Sequence, residues 1–183
     1  MFTKFIDNVL TDEECNLIIN YGLTQNLDYI QTYSPDSKEN FIDFKFNKRK
    51  GFMFDNPEFD VYANRLLEVV NESKIYSNIK YNEIGTYLFN AYSETNFLNY
   101  HIDSAEIENG ATITVVVQLN DNYEGGDFCY KIDEVEHKLT KKVGSVFIFE
   151  STIFHKVMPV ISGTRYSLNN WPKYTKTNKT SLL

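Results

Sequence analysis

The sequence predicts a mainly β domain, an antiparallel sandwich or barrel buttressed by two helices from its N-terminal part. Three observations support this fold class. Aromatic residues, which favour strands, make up 15% of the 183 residues. Two amphipathic helical patterns occur within the first 80 residues. From Lys80 onward the chain becomes a succession of short β-prone runs broken by turn residues, and helices followed by closely spaced strands are typical of such an α+β architecture.

Both helices have recognisable signals in the sequence. Thr11 is a predicted N-cap, and Glu14 three residues later completes a capping box for a helix that continues through Tyr21. After Pro57, apolar residues recur at helical spacing, which predicts a second amphipathic helix that ends near Ser73.

The segment between the helices, Gln31 to Lys50, is polar, mixed in charge and interrupted by Pro35. These features predict a loop or mobile flap with a short strand around Phe44 to Phe46.

The predicted strands are the runs rich in β-branched and aromatic residues that end at turn signals. The clearest are Tyr87 to Tyr92, Thr112 to Leu119, Asp127 to Ile132, Val143 to Phe149 and Arg165 to Trp171. The length suits one domain. We predict that 1–80 is the helical buttress and flap, 81–172 the β core and 173–183 a polar tail.

Charge, cysteine content and the opening residues limit the function classes. A net charge of −7 disfavours a nucleic-acid partner, although a local basic patch could outweigh the average. The opening residues are those of neither a signal peptide nor a membrane span, so a cytoplasmic location is expected. Cys15 and Cys129 are far apart in the sequence, which disfavours a zinc knuckle and a disulfide framework.

The three histidines of the chain suggest a metal site. His101 and Asp103 are two residues apart, and on an extended segment their side chains point to the same face. His155 follows a buried strand and is well placed to be a third ligand. Two histidines and one carboxylate form the facial triad that holds non-haem Fe(II) and leaves three positions open. A His-x-Asp pair alone is more often an ordinary surface pair, and His137, among charged residues, is read as an exposed bystander.

Arg165 begins a predicted strand ten residues after His155, across the Ser162-Gly163 turn. We expect an antiparallel hairpin that brings the guanidinium near the histidine. An arginine inside a β-barrel is costly unless it meets an anion. A dicarboxylate bound to the metal would match the guanidinium fork.

The order of these residues resembles the Fe(II)- and 2-oxoglutarate-dependent dioxygenases, and among them the prolyl 4-hydroxylase-like branch, over residues 85–172. The residues that carry the resemblance are Tyr92, His101, Asp103, Leu119-Asn120, Gly125-Gly126, Gly144, His155, Val160, Gly163, Arg165 and Trp171.

The resemblance implies a double-stranded β-helix, a cupin-like jelly roll that holds Fe(II) at its open end and uses 2-oxoglutarate and O2. It implies that His101, Asp103 and His155 are the metal ligands, and that Arg165 binds the distal carboxylate of 2-oxoglutarate. Tyr92 occupies the position of a tyrosine that lines the cosubstrate pocket in similar enzymes.

Three further residues are expected around the cosubstrate. Thr114 falls on an inward strand. Gln118 stands where many relatives have a tyrosine, and its amide can donate the same kind of hydrogen bond to the distal carboxylate. Trp171 points inward by the period of two from Arg165, and either lines the site or packs in the core. Ser93 replaces a glycine that is common in the family.

The implied reaction is hydroxylation of a substrate C–H bond with release of succinate and CO2. Peptidyl proline is the first expectation, and a free amino acid, another small molecule or a nucleic-acid base are the alternatives. The lid would be the segment 31–50, with basic residues at its edge or simply solvated, namely Lys45, Lys48, Arg49 and Lys50. Two other classes stay open: a cupin-like isomerase or metalloenzyme with another metal, and a non-catalytic jelly-roll binding module.

Overall fold

The computed structural model describes residues 2–34, 39–76, 79–103 and 113–174. The helices are α1 (Asp12–Thr24), a 3-10 turn (Pro57–Phe59) and α2 (Asp60–Ser73). The strands before α2 are β1 (Thr3–Ile6), β2 (Asp28–Tyr29), β3 (Thr32–Ser34), β4 (Glu39–Phe41), β5 (Asn47–Lys48) and β6 (Lys50–Phe54). Those after it are β7 (Tyr81–Glu83), β8 (Tyr87–Tyr92), β9 (Phe97–His101), β10 (Ile113–Gln118), β11 (Glu124–Gly125), β12 (Phe128–Ile132), β13 (Val135–Lys138), β14 (Val146–Glu150), β15 (His155–Val157), β16 (Val160–Ser162), β17 (Arg165–Asn170) and β18 (Lys173–Tyr174).

Two antiparallel sheets form the jelly roll. The larger sheet has the strand order β1-β14-β10-β17-β8-β6-β2, and the smaller has the order β13-β12-β15-β9-β5. Aromatic contacts join the sheets, since the ring of Phe128 on the smaller sheet lies 5.8 Å from Phe147 and 5.9 Å from Phe149 on the larger. The predicted jelly-roll core is confirmed.

The side chains of the larger sheet point alternately to its two faces, and both faces are covered by other parts of the fold. One face packs against the helices, where the ring of Phe89 lies over Gly22 of α1. The opposite face carries Tyr92, Val116 and the two phenylalanines of β14, which pack toward the smaller sheet. The helix layer and the chemistry of the interior are therefore separated by one sheet.

The helices begin where the sequence predicts. Thr11 caps α1 by accepting a hydrogen bond from the backbone of Glu14, and the capping box is complete. Arg65 of α2 donates to both carboxylate oxygens of Glu14 at 2.6 and 2.9 Å and so joins the two helices. No helix within the described ranges is long and apolar enough to cross a membrane.

The segment 31–50 differs from its prediction. The strand expected at Phe44 to Phe46 is wrong, because these residues form a turn in which the Asp43 carbonyl accepts hydrogen bonds from the backbone of Phe46 and Asn47. Strands β3, β4 and β5 surround the turn, so the segment is not a simple loop. Pro35 lies outside the described residues.

The expected hairpin between His155 and Arg165 is also wrong. β15 belongs to the smaller sheet, where it pairs with β12 and β9, whereas β17 pairs with β10 and β8 in the larger sheet. Strand β16 intervenes and pairs with β11. One strand boundary also differs from its prediction: the strand expected from Val143 begins at Val146.

Only part of the predicted tail can be compared with the structure. Lys173–Tyr174 forms β18 and pairs with β7. The residues 175–183 lie outside the described residues, as does Thr112, where a strand was predicted to begin.

Gly144 provides a test of how the N-terminal segment is attached. It has φ +70°, its carbonyl accepts the backbone N–H of Val9 and Leu10 at 3.0 Å each, and an added Cβ would lie 1.9 Å from the Leu10 carbonyl oxygen. We expect Gly144→Ala to lower the free energy of unfolding by about 3 kcal/mol or more, because backbone strain and a backbone clash add together.

Chemical denaturation measures this loss. Gly85→Ala is the matched control, because φ is +75° there but the nearest atom is 3.6 Å from the added Cβ. Equal losses in the two variants would show that the contact with Leu10 does not contribute.

Candidate metal centre

Two histidines meet across neighbouring strands of the smaller sheet. β9 and β15 are antiparallel, and His101 is the direct partner of His155. Their ring centroids are 4.1 Å apart, with an angle of 51° between the planes. Asp103 follows β9 by two residues. The three side chains each offer a ligand atom, and these atoms lie within 4.8 Å of one another.

Asp103 is held by two hydrogen bonds to its carboxylate and one from its backbone. Its Oδ2 accepts a hydrogen bond from Thr114 at 2.6 Å and from the indole of Trp171 at 3.2 Å, while its backbone N–H donates to the Ser151 carbonyl. Oδ1 faces His101 Nε2 at 3.4 Å and His155 Nε2 at 3.6 Å. One oxygen is therefore fixed, and the other points into the cluster.

Both imidazoles are oriented by backbone carbonyls. The Nδ1 atom of His101 lies 2.9 Å from the Asn99 carbonyl oxygen, and that of His155 lies 2.9 Å from the Ile153 carbonyl oxygen. A carbonyl can only accept, so each ring carries its proton on Nδ1 and presents the lone pair of Nε2 to the cluster. Metal-ligating histidines are commonly held in this way.

The pKa values of His155 and Asp103 favour the protonation states in which these side chains bind a metal. Burial lowers the pKa of His155 to about 4, so its imidazole is neutral at neutral pH. Burial raises the pKa of Asp103, but the two neighbouring imidazoles and the hydrogen bond from Thr114 outweigh it and hold the pKa below its usual value. Two neutral imidazoles and one carboxylate are the donors that a divalent metal needs.

Arg165 lies in a second cluster on the inner face of the larger sheet. It is only 1% exposed, and it donates from Nη1 to Ser167 at 3.0 Å and from Nη2 to the side-chain oxygen of Gln118 at 3.2 Å. Its Nε has no hydrogen-bond partner. Its guanidinium carbon lies 5.4 Å from the ring centre of Tyr92. The buried positive charge and the unpartnered Nε would both be satisfied by an anion.

Gln118 has a different place from the one expected. Its amide donates to the carbonyl of Asn120 and to the hydroxyl of Tyr123 at 2.9 Å, so both amide hydrogens are used. In this arrangement the side chain orients Arg165 and Tyr123, and donation to a cosubstrate would require one of these bonds to break.

The structure accordingly brings the predicted residues into two groups. His101, Asp103 and His155 converge, and Thr114 and Trp171 both donate hydrogen bonds to the aspartate. Arg165, Gln118 and Tyr92 form the neighbouring group. His137, read as a bystander, is exposed on β13 and stacks on Tyr130.

Two buried residues at the site were missed. Tyr123, 7% exposed, follows a turn-rich stretch and was passed over with it; burial raises its pKa, while the nearby Arg165 charge opposes this. Arg49, 8% exposed, was expected either at the edge of the lid or in solvent. The alternation of Phe52 and Phe54 toward the helices could have shown that position 49 faces the interior.

Fold and site together define a jelly-roll protein whose open end gathers a 2-His-1-carboxylate cluster. The sequence comparison agrees with this, since residues 87–173, a little under half of the chain, match the model of the 2OG-Fe(II) oxygenase superfamily. Proteins of this family use Fe(II), 2-oxoglutarate and O2.

The similar curated proteins include PKHD-type hydroxylases. One from Alteromonas mediterranea is 29% identical over 119 residues, which make up 60% of this chain and 53% of that protein. Another from Shewanella frigidimarina is 28% identical over 119 residues, which again make up 60% of this chain and 53% of that protein. The chain spans about half the length of the curated relatives it matches.

Solved structures of prolyl hydroxylases share the fold. A Pseudomonas putida prolyl-4-hydroxylase superposes with a TM-score of 0.72 at 16% identity, covering 93% of this chain and 92% of that one. A collagen prolyl hydroxylase of Paramecium Bursaria Chlorella virus-1 gives 0.69 at 19% identity, with 94% and 96% covered. A prolyl hydroxylase of Trichoplax adhaerens gives 0.72 at 18% identity, with 93% and 82% covered.

The support of Asp103 can be tested by metal binding. We expect Thr114→Val to weaken the binding of Mn(II), a redox-stable probe, by about tenfold, because residues that orient ligands commonly contribute that much. Calorimetric titration of the metal-free protein measures the affinity. Tyr100→Phe is the control, since its hydroxyl, also beside His101 in sequence, bonds to Glu136 instead. Unchanged Mn(II) affinity in Thr114→Val would contradict the role of this hydrogen bond.

Proposed function

We propose that this chain is a 2-oxoglutarate-dependent hydroxylase that holds Fe(II) through His101, Asp103 and His155. The observation that carries the proposal is the convergence of these three side chains, together with a buried arginine that forms no ion pair with any acid of the described residues. The donor set fits Fe(II), because two Nε2 lone pairs and one carboxylate oxygen point to one place and their other polar atoms are already bonded.

The cosubstrate pocket is proposed to lie between the metal ligands and Arg165. A dicarboxylate there would place its distal carboxylate against the unpartnered Nε of the arginine and neutralise the buried charge. Tyr92, whose ring flanks the guanidinium, would line the pocket.

Tyr123 is proposed as a second anchor for the distal carboxylate. Its hydroxyl accepts a hydrogen bond from Gln118, and among the described residues it has no hydrogen-bond acceptor for its own proton. Arg165 is close enough to influence its pKa. Arg165 and Tyr123 each have a donor without an acceptor among the described residues, and two such donors are suited to the two oxygens of a carboxylate. The phenol would thus come from Tyr123, while the usual tyrosine position is occupied by Gln118.

Bound Fe(II) and 2-oxoglutarate supply the chemistry that inserts one oxygen atom of O2 into a substrate C–H bond, while the other enters succinate and CO2 is lost. The residues of this chain fix the geometry and exclude water. His155 is packed against Phe128 at 5.5 Å and Phe149 at 4.8 Å between ring centroids, so its side of the centre is apolar and closed. Trp171, bonded to Asp103, is half-buried beside the opposite side.

Peptidyl proline is the proposed substrate. The names of the similar structures support it, and the Trichoplax adhaerens prolyl hydroxylase is in complex with a hypoxia-inducible factor peptide. A single domain is proposed as well, because the helices and the larger sheet share one apolar core. A cupin-like metalloenzyme with another metal is the second candidate, but it gives no reason for the buried charge of Arg165.

Turnover tests the assignment directly. Protein loaded with Fe(II) and 2-oxoglutarate without oxygen should form succinate when O2 is admitted, and proline-rich peptides should stimulate it and gain 16 Da. We expect Asp103→Ala to lose at least about a thousandfold in rate, because the metal loses its anionic ligand. Equal turnover by this variant, or no succinate from the native protein with any peptide, would exclude the proposed reaction.

Cosubstrate binding tests the two anchors separately. In thermal unfolding with Mn(II), Arg165→Met should lose the stabilisation by 2-oxoglutarate but keep the stabilisation by metal. Tyr123→Phe should weaken 2-oxoglutarate about tenfold, since a hydrogen bond to a charged group contributes about 1.5–3 kcal/mol.

Tyr130→Phe is the matched control for the loss of a hydroxyl, because that ring packs on Phe147 and His137, and no described contact joins it to Arg165. If Tyr123→Phe and Tyr130→Phe bind 2-oxoglutarate equally well, Tyr123 is not an anchor.

A further inference from the structure

A second arginine, Arg49, is buried at the same site. It lies between β5 of the smaller sheet and β6 of the larger, at the point where the chain crosses from one sheet to the other. The neighbouring Lys50 pairs with Ala91 of β8, so Arg49 stands beside Tyr92, and Tyr92 in turn pairs with Arg165 of β17. Arg49, Tyr92 and Arg165 thus form a row across the inner face.

The contacts of Arg49 leave one edge of its guanidinium unused. Nη1 donates to the hydroxyl of Tyr92 at 2.8 Å, and the guanidinium carbon lies 5.8 Å from the centre of that ring. Nε is buried without a hydrogen-bond partner. Nη2 has no hydrogen bond within the described part of the chain. The Nε and Nη2 edge has the geometry that binds a carboxylate through two parallel hydrogen bonds.

No carboxylate of the described residues forms an ion pair with Arg49. The guanidinium is nevertheless buried, and it lies against the ring of Tyr92, which also flanks Arg165. A buried guanidinium without an anion is costly in a ligand-free protein, and an anionic ligand relieves that cost.

The charges of the proposed complex leave Arg49 unmatched. A divalent metal and the dianion of 2-oxoglutarate neutralise each other. Asp103 contacts the two histidines, and neither arginine forms an ion pair with an acid of the described residues, so in net charge its carboxylate offsets only one of them. Among the described residues one positive charge therefore remains, and we assign it to the arginine that does not serve the distal carboxylate.

We propose that Arg49 binds a carboxylate of the substrate, so that the enzyme acts on a residue with a carboxylate beside it. This inference rests on the proposed function and specifies its substrate. The carboxylate comes either from an acidic side chain next to the hydroxylated residue or from the chain terminus, and both present the same two oxygens to the guanidinium edge.

Matched peptides distinguish the two sources. One pair is acetyl-Pro-Glu-amide and acetyl-Pro-Gln-amide, and the other is acetyl-Gly-Pro with a free carboxyl group and its amide. Binding is measured by calorimetry to protein loaded with Mn(II) and saturating 2-oxoglutarate, so that no turnover occurs. In at least one pair, the acidic peptide should bind at least about ten times more tightly than its neutral partner, as expected for a buried charge pair.

Variants assign that preference to Arg49. Arg49→Gln should reduce the acid-to-neutral ratio to about one, and Arg49→Lys should keep part of it, because the charge remains but the fork is lost. Lys50→Gln is the control: it removes the neighbouring charge, which is exposed and lies over Tyr29, and should leave the ratio unchanged.

Several outcomes would overturn the proposal. One is that the native protein does not prefer either acidic peptide, or binds none of the peptides. A second is that the preference survives in Arg49→Gln. Another is a loss of 2-oxoglutarate affinity in Arg49→Gln as large as that in Arg165→Met, which would assign Arg49 to the cosubstrate. Titration of the native protein with Mn(II) and 2-oxoglutarate comes first, because failure of this step contradicts the proposed function itself.

Discussion

The antiparallel pairing of β9 with β15 is the constraint on which the rest of the site depends. Directly opposed residues on such strands are about 5 Å apart, so the backbone alone brings His101 and His155 into contact. Asp103 then needs only to turn inward two residues later, and the carbonyl of Ser151 holds its backbone. The three ligand atoms therefore converge because of backbone hydrogen bonds, with little dependence on flexible loops.

The interior of the jelly roll is rich in donors and poor in negative charge. Arg49, Arg165 and Tyr123 all have hydrogen-bonding capacity that their neighbours do not use. The chain as a whole has the opposite character, with a net charge of −7. These buried donors are suited to carboxylates, and without an anion their unused hydrogen bonds weaken the ligand-free fold.

Much of this arrangement could be predicted from the sequence, because the strongest signals are local. The capping box at Thr11 and the strand from Tyr87 to Tyr92 were confirmed, and His101, Asp103 and His155 do lie together. Their roles as iron ligands remain predictions. The types and spacing of neighbouring residues are enough to predict such features, because each feature depends on only a few of these residues.

The errors concern features that depend on distant parts of the chain. The hairpin between β15 and β17 was wrong because a short turn does not reveal that the chain changes sheets at β16. Arg49 was expected at the edge of the lid or in solvent because it lies in a charged segment, whereas in the structure it is buried against Tyr92, 43 residues away in sequence. Tyr123 was hidden among turn residues for the same reason.

The two faces of the larger sheet give β17 an unusual intolerance of changes in length. Arg165 and Ser167 face the interior, whereas Tyr166 and Leu168 pack in the helix-side core. Deleting or inserting one residue within this strand would exchange the two sets, driving a guanidinium into hydrocarbon and a leucine into the site. Natural variants of different length should therefore differ in the connections between strands, and the strand itself should retain its number of residues.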